Sequence, residues 1–442
     1  MAKKKRQKTP AVDWGNGIFK RSMRLDPPIE SMLVASNSYA NKVRRFSSNA
    51  RLYLAFHLLT TVNAGIYGVI FNLYILSLGF REDFLGLILS ISSLSVGLFA
   101  MPSAFVCDRL GRKRTLLLSS VLLAVSLLFL YNTTSQVLLV AFSIAFGMAS
   151  SLSLITGSIF LLENSSAEER MYLFSMSSLI YTLSALSGNM IGGFLPGILS
   201  DMFTLDADSI AAYRITLYVS LTAIIISMLP LAYMRDERRM EIAISSGQLL
   251  AYKSVFGSKN ARRMVLFFCL FGIGWGMSLP YFNVYLDSVL GASASQIGMI
   301  FSASQVFMVV GYFLVPIFAE RVGKIRLASS VQILSIPFLL MFTFASNLLV
   351  AATGFVMRYM LMNMANPVLN SFKLEIVRPN ERSMINSITW MACHTFVGVG
   401  TYAGGMMMAN GWNSMPFLVT GVFYAVSAAY YYICFNKLEE TA

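Results

Sequence analysis

The sequence predicts an all-α polytopic membrane protein with twelve transmembrane helices. The 442 residues are 56% hydrophobic and only 12% charged, with a mean hydropathy of +0.65, whereas a soluble chain is about a quarter charged. Twelve apolar segments approach or exceed the roughly 20 residues that a helix needs to cross a bilayer. They lack the alternation of barrel strands. Because backbone groups in lipid must be satisfied internally, we expect these segments to be helices.

The apolar segments follow one another in two groups of six, separated by the longest polar interruption between spans. We predict spans at 52–78, 84–106, 115–131, 136–162, 172–198, 213–233, 264–288, 295–319, 327–346, 348–372, 384–410 and 415–436. The chain then divides into a basic tail (1–51), an N-terminal six-helix bundle (52–233), a linker (234–263), a C-terminal six-helix bundle (264–436) and a short C-terminus (437–442).

Positive charge predicts the orientation of these spans. Of the 34 Lys and Arg residues, only Arg81 and Arg214 lie on the side opposite the termini, Arg214 at the edge of the span 213–233, and only Arg358 lies deep within a predicted span. Because cytoplasmic loops carry the Lys and Arg excess, we expect both termini and the linker in the cytoplasm, with the protein in the cytoplasmic (plasma) membrane. The same distribution accounts for the net charge of +13, so we predict membrane lipids rather than nucleic acid as partners.

Several classes of chemistry find no support in the sequence. The four cysteines, at 107, 269, 393 and 434, have spacings that suit neither a zinc site nor a disulfide framework. The two histidines form no HExxH motif, and no Ser–His–acid set can be placed. We therefore predict no metal, no cofactor and no enzymatic activity.

The two groups of spans repeat one another. An offset of 212 residues pairs glycines, acid–base turns and glutamates of the first group with like residues of the second. The pairs include Gly79 with Gly291, Gly86 with Gly298, Asp108-Arg109 with Glu320-Arg321, Glu163 with Glu375, and Gly192-Gly193 with Gly404-Gly405; an offset of 211 pairs Asn72 with Asn283 and Tyr74 with Tyr285. Such parallel repeats are a transporter design, with the substrate held near the midplane between the halves.

The stretch AFVCDRLGRKR (104–114) lies between the second and third spans. It resembles the signature of the major facilitator superfamily of secondary transporters, with Ala104 in place of the first glycine. Asp108, Arg109, Gly111, Lys113 and Arg114 match the signature, and PIFAERVGKIR (316–326) is a degraded second copy. The resemblance covers nearly all of the chain beyond residue 51 and implies two pseudo-symmetric six-helix bundles that alternate in access.

The same resemblance implies a gate of charged residues at the cytoplasmic ends. Asp108 is expected to face the start of helix 11 near Ser383, and the basic residues of the turn to reach Glu163. In the second half, Glu320 is expected to face the start of helix 5, and Arg321 or Arg326 to reach Glu375. Such pairs would lock the two halves together. The alternative is that these charges only set the topology.

Helix 5 carries SALSGNMIGG (184–193). Gly188, Gly192 and Gly193 resemble the glycine motif of drug–proton antiporters in this superfamily, with Asn189 where that motif has proline. This favours efflux, although small residues at this spacing also serve helix packing alone. Those exporters usually carry an arginine in helix 4, where this chain has Ser143, and this departure leaves the coupling ion open between a proton and another ion.

Arg358 is the most informative predicted residue of the cavity, since a base inside a span costs about 2.5–3.5 kcal/mol. It is predicted either to face the cavity or to pair with helix carbonyls and polar neighbours. The other predicted cavity residues are polar or titratable side chains on helices 1, 7, 10 and 11, namely His57, Asn72, Asn283, Asn363, Trp390 and His394. We predict a monomeric exporter of amphipathic or aromatic small molecules, or alternatively a carrier of an organic anion or lipid-like substrate with Arg358 as counter-ion.

Overall fold

A computed structural model describes residues 46–166, 169–235, 257–378 and 381–439, apart from the side chains of Met171, Ser383, Leu438 and Glu439. Nearly all of the predicted basic tail, residues 236–256 of the predicted linker and residues 440–442 lie outside the described residues. Within the described ranges the chain is helical and contains no strand. The predicted all-α fold class is confirmed.

Twelve long helices follow the order of the predicted spans. They are α1 (Ser48–Ser77), α2 (Glu82–Leu110), α3 (Arg112–Asn132), α4 (Gln136–Glu163), α5 (Arg170–Phe203), α6 (Ile210–Tyr233), α7 (Lys259–Ser288), α8 (Ala294–Val322), α9 (Lys324–Thr343), α10 (Leu348–Glu375), α11 (Arg382–Ala409) and α12 (Met415–Glu439). Eleven are long and apolar enough to span a membrane. The remaining one, α11, has the same length but carries polar residues such as Asn386, His394 and Thr401.

The bounds of the predicted spans differ from the ends of the observed helices. Most helices begin or end several residues beyond the apolar segments, because their charged first and last turns are also helical. The clearest consequence is in α10, which continues to Glu375 where the apolar pattern predicts an end at residue 372. Lys373 is therefore a helical residue, and it is 2% exposed.

Each half packs as a bundle. In the first half α1 contacts α5 and α6, α2 contacts α4, and α3 contacts α4 and α6; the second half repeats these neighbours with α7 to α12. The hydroxyl of Tyr74 donates to the carbonyl of Tyr131 at 2.6 Å, and Tyr285 donates to Thr343 at 2.7 Å. These two bonds are related by the internal repeat, so they tie equivalent helices within each half.

The two turns that interrupt the halves have the same backbone. Gly111 and Gly323 connect α2 to α3 and α8 to α9, with φ of 87° and 88°. Only glycine adopts this conformation without strain, which explains why the signature turn and its repeat both keep a glycine. In α7 the helix is broken by a 3₁₀ turn at Leu279–Tyr281 before it resumes at Phe282–Ser288.

The helix ends define two faces of the molecule. We call the linker face the one that contains the start of α1 at Ser48, the turns at Gly111 and Gly323, and the ends of α6 and α12. The far face contains the connections α1–α2, α3–α4, α5–α6, α7–α8, α9–α10 and α11–α12. The halves meet mainly where α2 packs on α11 and α5 packs on α8.

Candidate substrate cavity

Glycines bring the two halves into backbone contact toward the far face. A Cβ atom added at Gly86 of α2 would lie 2.9 Å from the Cα of Gly405 of α11, and one added at Gly193 of α5 would lie 2.9 Å from the Cα of Gly298 of α8. Arg81, at the far face, donates to the carbonyl of Ala409 at 2.5 Å. The far side of the molecule is therefore sealed by tight packing.

Two asparagines join the halves beneath this seal. The Asn72 amide donates to Asn283 Oδ1 at 3.0 Å and to the carbonyl of Pro280 at 2.5 Å. The Asn283 amide donates to the carbonyl of Val69 at 3.0 Å. Both residues are buried. The broken helix α7 exposes the Pro280 carbonyl, because the 3₁₀ turn interrupts the ladder that would otherwise engage it.

Below the asparagines a cavity of three adjoining regions continues toward the linker face. The first region, of about 300 Å³, lies between the halves and is lined by α1, α2, α5, α7, α8 and α10. The second, of about 330 Å³, lies within the C-terminal half, and the third, of about 450 Å³, lies nearer the linker face. Leu279 and Tyr359 line both the first and second regions, and Tyr312 lines the second and third.

Polar side chains of α1 and α10 line this cavity. On α1, Thr61, Gly65, Gly68 and Asn72 line the first region, and His57 lines the third. On α10, the second region is lined by Arg358, Tyr359, Asn363, Asn366 and Asn370. Helical spacing places Tyr359, Asn363, Asn366 and Asn370 on one side of α10, with Arg358 about 100° away around the helix.

Arg358 is one of the residues that line the second region. Its side chain is 2% exposed, and Nη2 donates to the hydroxyl of Tyr424 at 2.8 Å. The guanidinium lies over the ring of Phe282, 4.8 Å from the ring centroid. Its Nε–H is buried without a hydrogen-bond partner among the described residues. A charged donor left without an acceptor is costly, so an acceptor supplied by a ligand would be stabilising here.

Lys373 is a second buried base near the same region, and it is not among the residues predicted from the sequence. Its ammonium lies 5.5 Å from the ring centroid of Phe268 and 5.4 Å from that of Trp390, and both aromatic residues line the second region. The expectation that Arg358 is the only base inside a span is therefore wrong. The apolar pattern could not identify Lys373 as a buried base, because this residue directly follows the apolar run that defined the predicted span 348–372.

The two histidines that were predicted to line the cavity, His57 and His394, lie in different parts of the structure. His57 lines the third region and stacks on Tyr53, with ring centroids 5.9 Å apart. His394 stacks on Trp390, with centroids 5.5 Å apart, and its carbonyl accepts a hydrogen bond from Ser93 across the halves. None of the described residues that line the three regions is Asp or Glu. The charge in the described lining is therefore positive.

The ion pairs at the linker face lie within each half. Arg112 donates to Asp108 Oδ1 and Glu163 Oε1, each at 2.8 Å, and Lys324 pairs with Glu375 at 2.7 Å. Arg112 occupies a variable position of the signature, and neither it nor Lys324 is among the gate residues predicted from the sequence. The two pairs are related by the internal repeat, as are the turns that carry them.

These pairs meet one expectation about the gate, that a base of the turn reaches Glu163, and correct another. The base that reaches Glu163 is Arg112, whereas Lys113 donates to the carbonyls of Ala232 and Met234. In the second half the ion pair with Glu375 is made by Lys324 in place of Arg321 or Arg326. Arg326 donates to Asn436 at 3.3 Å, and Glu320 and Arg321 are exposed at the end of α8.

The physical reason for this difference is the arrangement of the halves. Arg109 and Arg114 lie beside Arg112 on the linker face, with the Arg109 guanidinium over the ring of Phe105 at 4.3 Å. The described inter-half hydrogen bonds and glycine contacts lie toward the far face, as at Asn72 and Arg81, or near the middle of the helices, as at Ser93 and Gly97. With the far side closed, the charged turns bond within their own half. A charge gate between the halves stays a prediction for another conformation, and the side chain of Ser383 lies outside the described residues.

The glycines of helix 5 serve close packing in this structure. A Cβ atom at Gly192 would lie 3.1 Å from the Cα of Ile66, and Gly188 lies against Val62 and Gly65 of α1. Gly193 faces Gly298 of α8. Asn189, which stands where the antiporter motif has proline, is buried and lines the first region.

This arrangement, two repeated six-helix bundles around a central cavity, defines a polytopic transporter fold. A sequence model described as "Major Facilitator Superfamily" matches residues 53–394 and 264–441. The chain therefore belongs to the Major Facilitator Superfamily, as its signature turn indicated. It is a transporter and not an enzyme.

Solved structures of this superfamily share the fold. A mutant of the nucleoside transporter NupG matches with a TM-score of 0.71 at 15% identity, covering 87% of this chain and 100% of that one. A bacterial homolog of the human lysosomal transporter Spinster, in an inward-facing and occupied conformation, gives 0.70 at 15% identity, covering 87% and 96%. A D-xylose–proton symporter gives 0.70 at 16%, covering 87% and 97%. No curated protein sequence matches the chain.

Proposed function

We propose that the protein is an alternating-access secondary transporter of amphipathic, aromatic small molecules that carry an anionic group. This combines the two substrate classes predicted from the sequence. Aromatic side chains, including Phe268, Phe271, Trp275 and Trp390, supply an apolar wall for the second region. Two buried bases supply the positive charge, and the described lining residues include no carboxylate.

The observation that carries the anionic specificity is the unbonded Nε–H of Arg358. The guanidinium already donates to Tyr424 and lies over Phe282. These contacts hold it in place without neutralising its charge. A carboxylate, sulfonate or phosphate oxygen would accept a hydrogen bond from this Nε–H. Charge-assisted bonds of this kind are roughly twice as strong as neutral ones.

The closed far side and the cavity near the linker face correspond to one half of an alternating-access cycle. If the linker face is cytoplasmic, as the positive charges predict, this conformation faces inward. Efflux is the direction that the helix 5 glycines favour by resemblance. A location in the plasma membrane, a monomeric state and coupling to a proton or another ion are further parts of this proposal.

The test is transport by purified protein in sealed proteoliposomes, with an imposed pH gradient and a panel of aromatic acids, each matched with its neutral amide. We expect saturable transport of the acids, and we expect Arg358→Gln to lower their transport about tenfold or more, because it keeps hydrogen-bonding capacity and removes the charge. Transport of any amide that the wild-type protein carries should be much less affected.

Arg262→Gln is a matched control, because Arg262 is an exposed arginine on the first turn of α7. It should leave transport of acids and amides unchanged. Equal loss of every substrate with Arg358→Gln, together with poor folding, would assign Arg358 a structural role. Unchanged acid transport would remove the anionic specificity and leave an exporter of amphipathic molecules as the function. Current without saturation would indicate a channel instead of a carrier.

A further inference from the structure

Gln305 is a buried amide whose oxygen has no hydrogen-bond partner. It lies on α8, is 6% exposed, and lines the first region of the cavity. Its Nε2 donates to the hydroxyl of Tyr359 at 3.3 Å, and its Oε1 accepts no hydrogen bond from the described residues. A buried acceptor without a donor is costly. The side chain is therefore poised to bind a group that donates a hydrogen bond.

Asn189 lines the same region from the other half of the molecule. It lies on α5, is 5% exposed, and replaces the proline of the helix 5 motif. The carbonyl of its neighbour Leu186 accepts a hydrogen bond from Ser302 of α8 at 3.2 Å, so the two helices are held together there. No charged residue is among the described residues that line the first region.

Tyr359 connects this neutral region with the charged one. Its hydroxyl accepts the bond from Gln305, its side chain lines both regions, and it is adjacent in sequence to Arg358. One region therefore presents an unbonded acceptor, and the next presents an unbonded cationic donor. A single ligand could satisfy both if it carried a neutral donor and an anionic acceptor.

We propose that Gln305 and Asn189 form a second substrate subsite, which accepts a hydrogen bond from a neutral hydroxyl or N–H group of the same molecule whose anionic group Arg358 binds. The proposal rests on the proposed function and makes it more specific. The substrate class becomes aromatic acids that also carry a hydroxyl or N–H group. Sites that hydrogen-bond a substrate hydroxyl discriminate strongly against analogues that lack it.

The experiment measures binding of matched phenols and methyl ethers to the full-length protein in nanodiscs. Three acid pairs vary the distance between carboxylate and hydroxyl: 4-hydroxybenzoate, 4-hydroxycinnamate and 4′-hydroxybiphenyl-4-carboxylate, each with its methyl ether. The methyl ether keeps an acceptor and loses the donor. In at least one pair, we expect the wild-type protein to bind the phenol about tenfold more tightly.

The variants separate this subsite from the anion site. Gln305→Leu, and Gln305→Met with a longer side chain, should reduce the phenol preference to less than about twofold, and Asn189→Ala should also weaken it. In both Gln305 variants the acid should still bind more tightly than its amide. Ser304→Ala is the control, because the Ser304 hydroxyl lines the region but already donates to the carbonyl of Phe301.

The amide pair 4-hydroxybenzamide and 4-methoxybenzamide distinguishes failure of this proposal from failure of the proposed function. A phenol preference that persists in the amides, without tighter binding of acids, would support the Gln305 subsite and refute the anionic specificity. Absence of a phenol preference in every pair, including absence of binding, would overturn the subsite. So would a phenol preference that survives in both correctly folded Gln305 variants.

Discussion

Gly86 of α2 and Gly405 of α11 meet backbone to backbone, so that a Cβ atom at Gly86 would lie 2.9 Å from the Cα of Gly405. The internal repeat places Gly298 and Gly193 in the same relationship between α8 and α5. Two symmetry-related contacts therefore close the far side of the cavity. Each depends on the absence of a side chain, because small residues allow helix backbones to approach closely.

Replacement of Gly193 by valine is expected to open the far side. The new side chain would overlap the backbone of α8, and such overpacking typically costs about 1–3 kcal/mol. The equilibrium should shift toward far-side-open conformations by roughly tenfold, and transport should fall. Distances between spin labels on the two halves at the far face would measure the shift.

Gly197→Val is the matched control for this prediction. Gly197 lies one turn further along α5, and a Cβ atom there would have no neighbour within 4 Å. It should leave the distance distribution and the transport rate near those of the wild-type protein. Equal distributions for Gly193→Val and the wild-type protein would show that this contact does not control closure.

The two repeated ion pairs are expected to differ in their effect on stability. Arg112 is mostly buried and bonded to both Asp108 and Glu163, whereas Lys324 and Glu375 are each more than 40% exposed. Arg112→Met would leave two partly buried carboxylates without their base and should cost about 2–3 kcal/mol. Lys324→Met should cost about 0–1 kcal/mol.

The unfolding temperatures of the wild-type protein and of both variants, measured in one detergent, would test this difference. We expect a clear fall in unfolding temperature for Arg112→Met and a much smaller change for Lys324→Met. Equal shifts would indicate that burial of the first pair contributes nothing beyond an exposed ion pair. High salt should weaken the effect of the exposed pair more than that of the buried one.

Asp108→Asn is expected to impair transport without impairing insertion. The asparagine can still accept a hydrogen bond from Arg112, so the turn should fold. The lost charge would matter in conformations where the linker face closes, because carboxylates are favoured near helix N-termini. We expect transport to fall about fivefold or more, by roughly 1 kcal/mol, with a normal amount of protein in the membrane. Normal transport by correctly inserted protein would refute the gate.

Lys373→Gln is expected to weaken the capture of anionic substrates. Lys373 follows Arg358 by four helical turns, about 20 Å along α10, and lies toward the linker face. A base at this position attracts anions before they reach Arg358. The apparent KM for aromatic acids should rise about threefold to tenfold with little change in kcat, and less so at high salt. An unchanged KM for acids at low salt would assign the ammonium a packing role between Phe268 and Trp390.

The sequence predicted the fold well because its main signals are long-range patterns. Apolar length, the 212-residue repeat and charge asymmetry do not depend on side-chain geometry. The predicted cavity residues on helices 1 and 10, such as Asn72 and Asn363, were also visible, since a polar side chain inside an apolar span marks a functional position. The sequence did not predict site residues whose role arises from contacts between helices. Arg112 was missed because the signature treats its position as variable. Lys373 was missed because it follows the last apolar turn, and Gln305 because an isolated glutamine has no periodic signal.

The reciprocal bonds of Asn72 and Asn283 have a consequence for the symmetry of the closed surface. Asn72 donates to the Pro280 carbonyl, and Asn283 donates to the Val69 carbonyl at the corresponding position of the other half. Each half therefore presents both the donor and the acceptor of one contact, as in an isologous dimer interface. The closed far side therefore has, at these two bonds, the two-fold symmetry of a homodimer interface within one polypeptide.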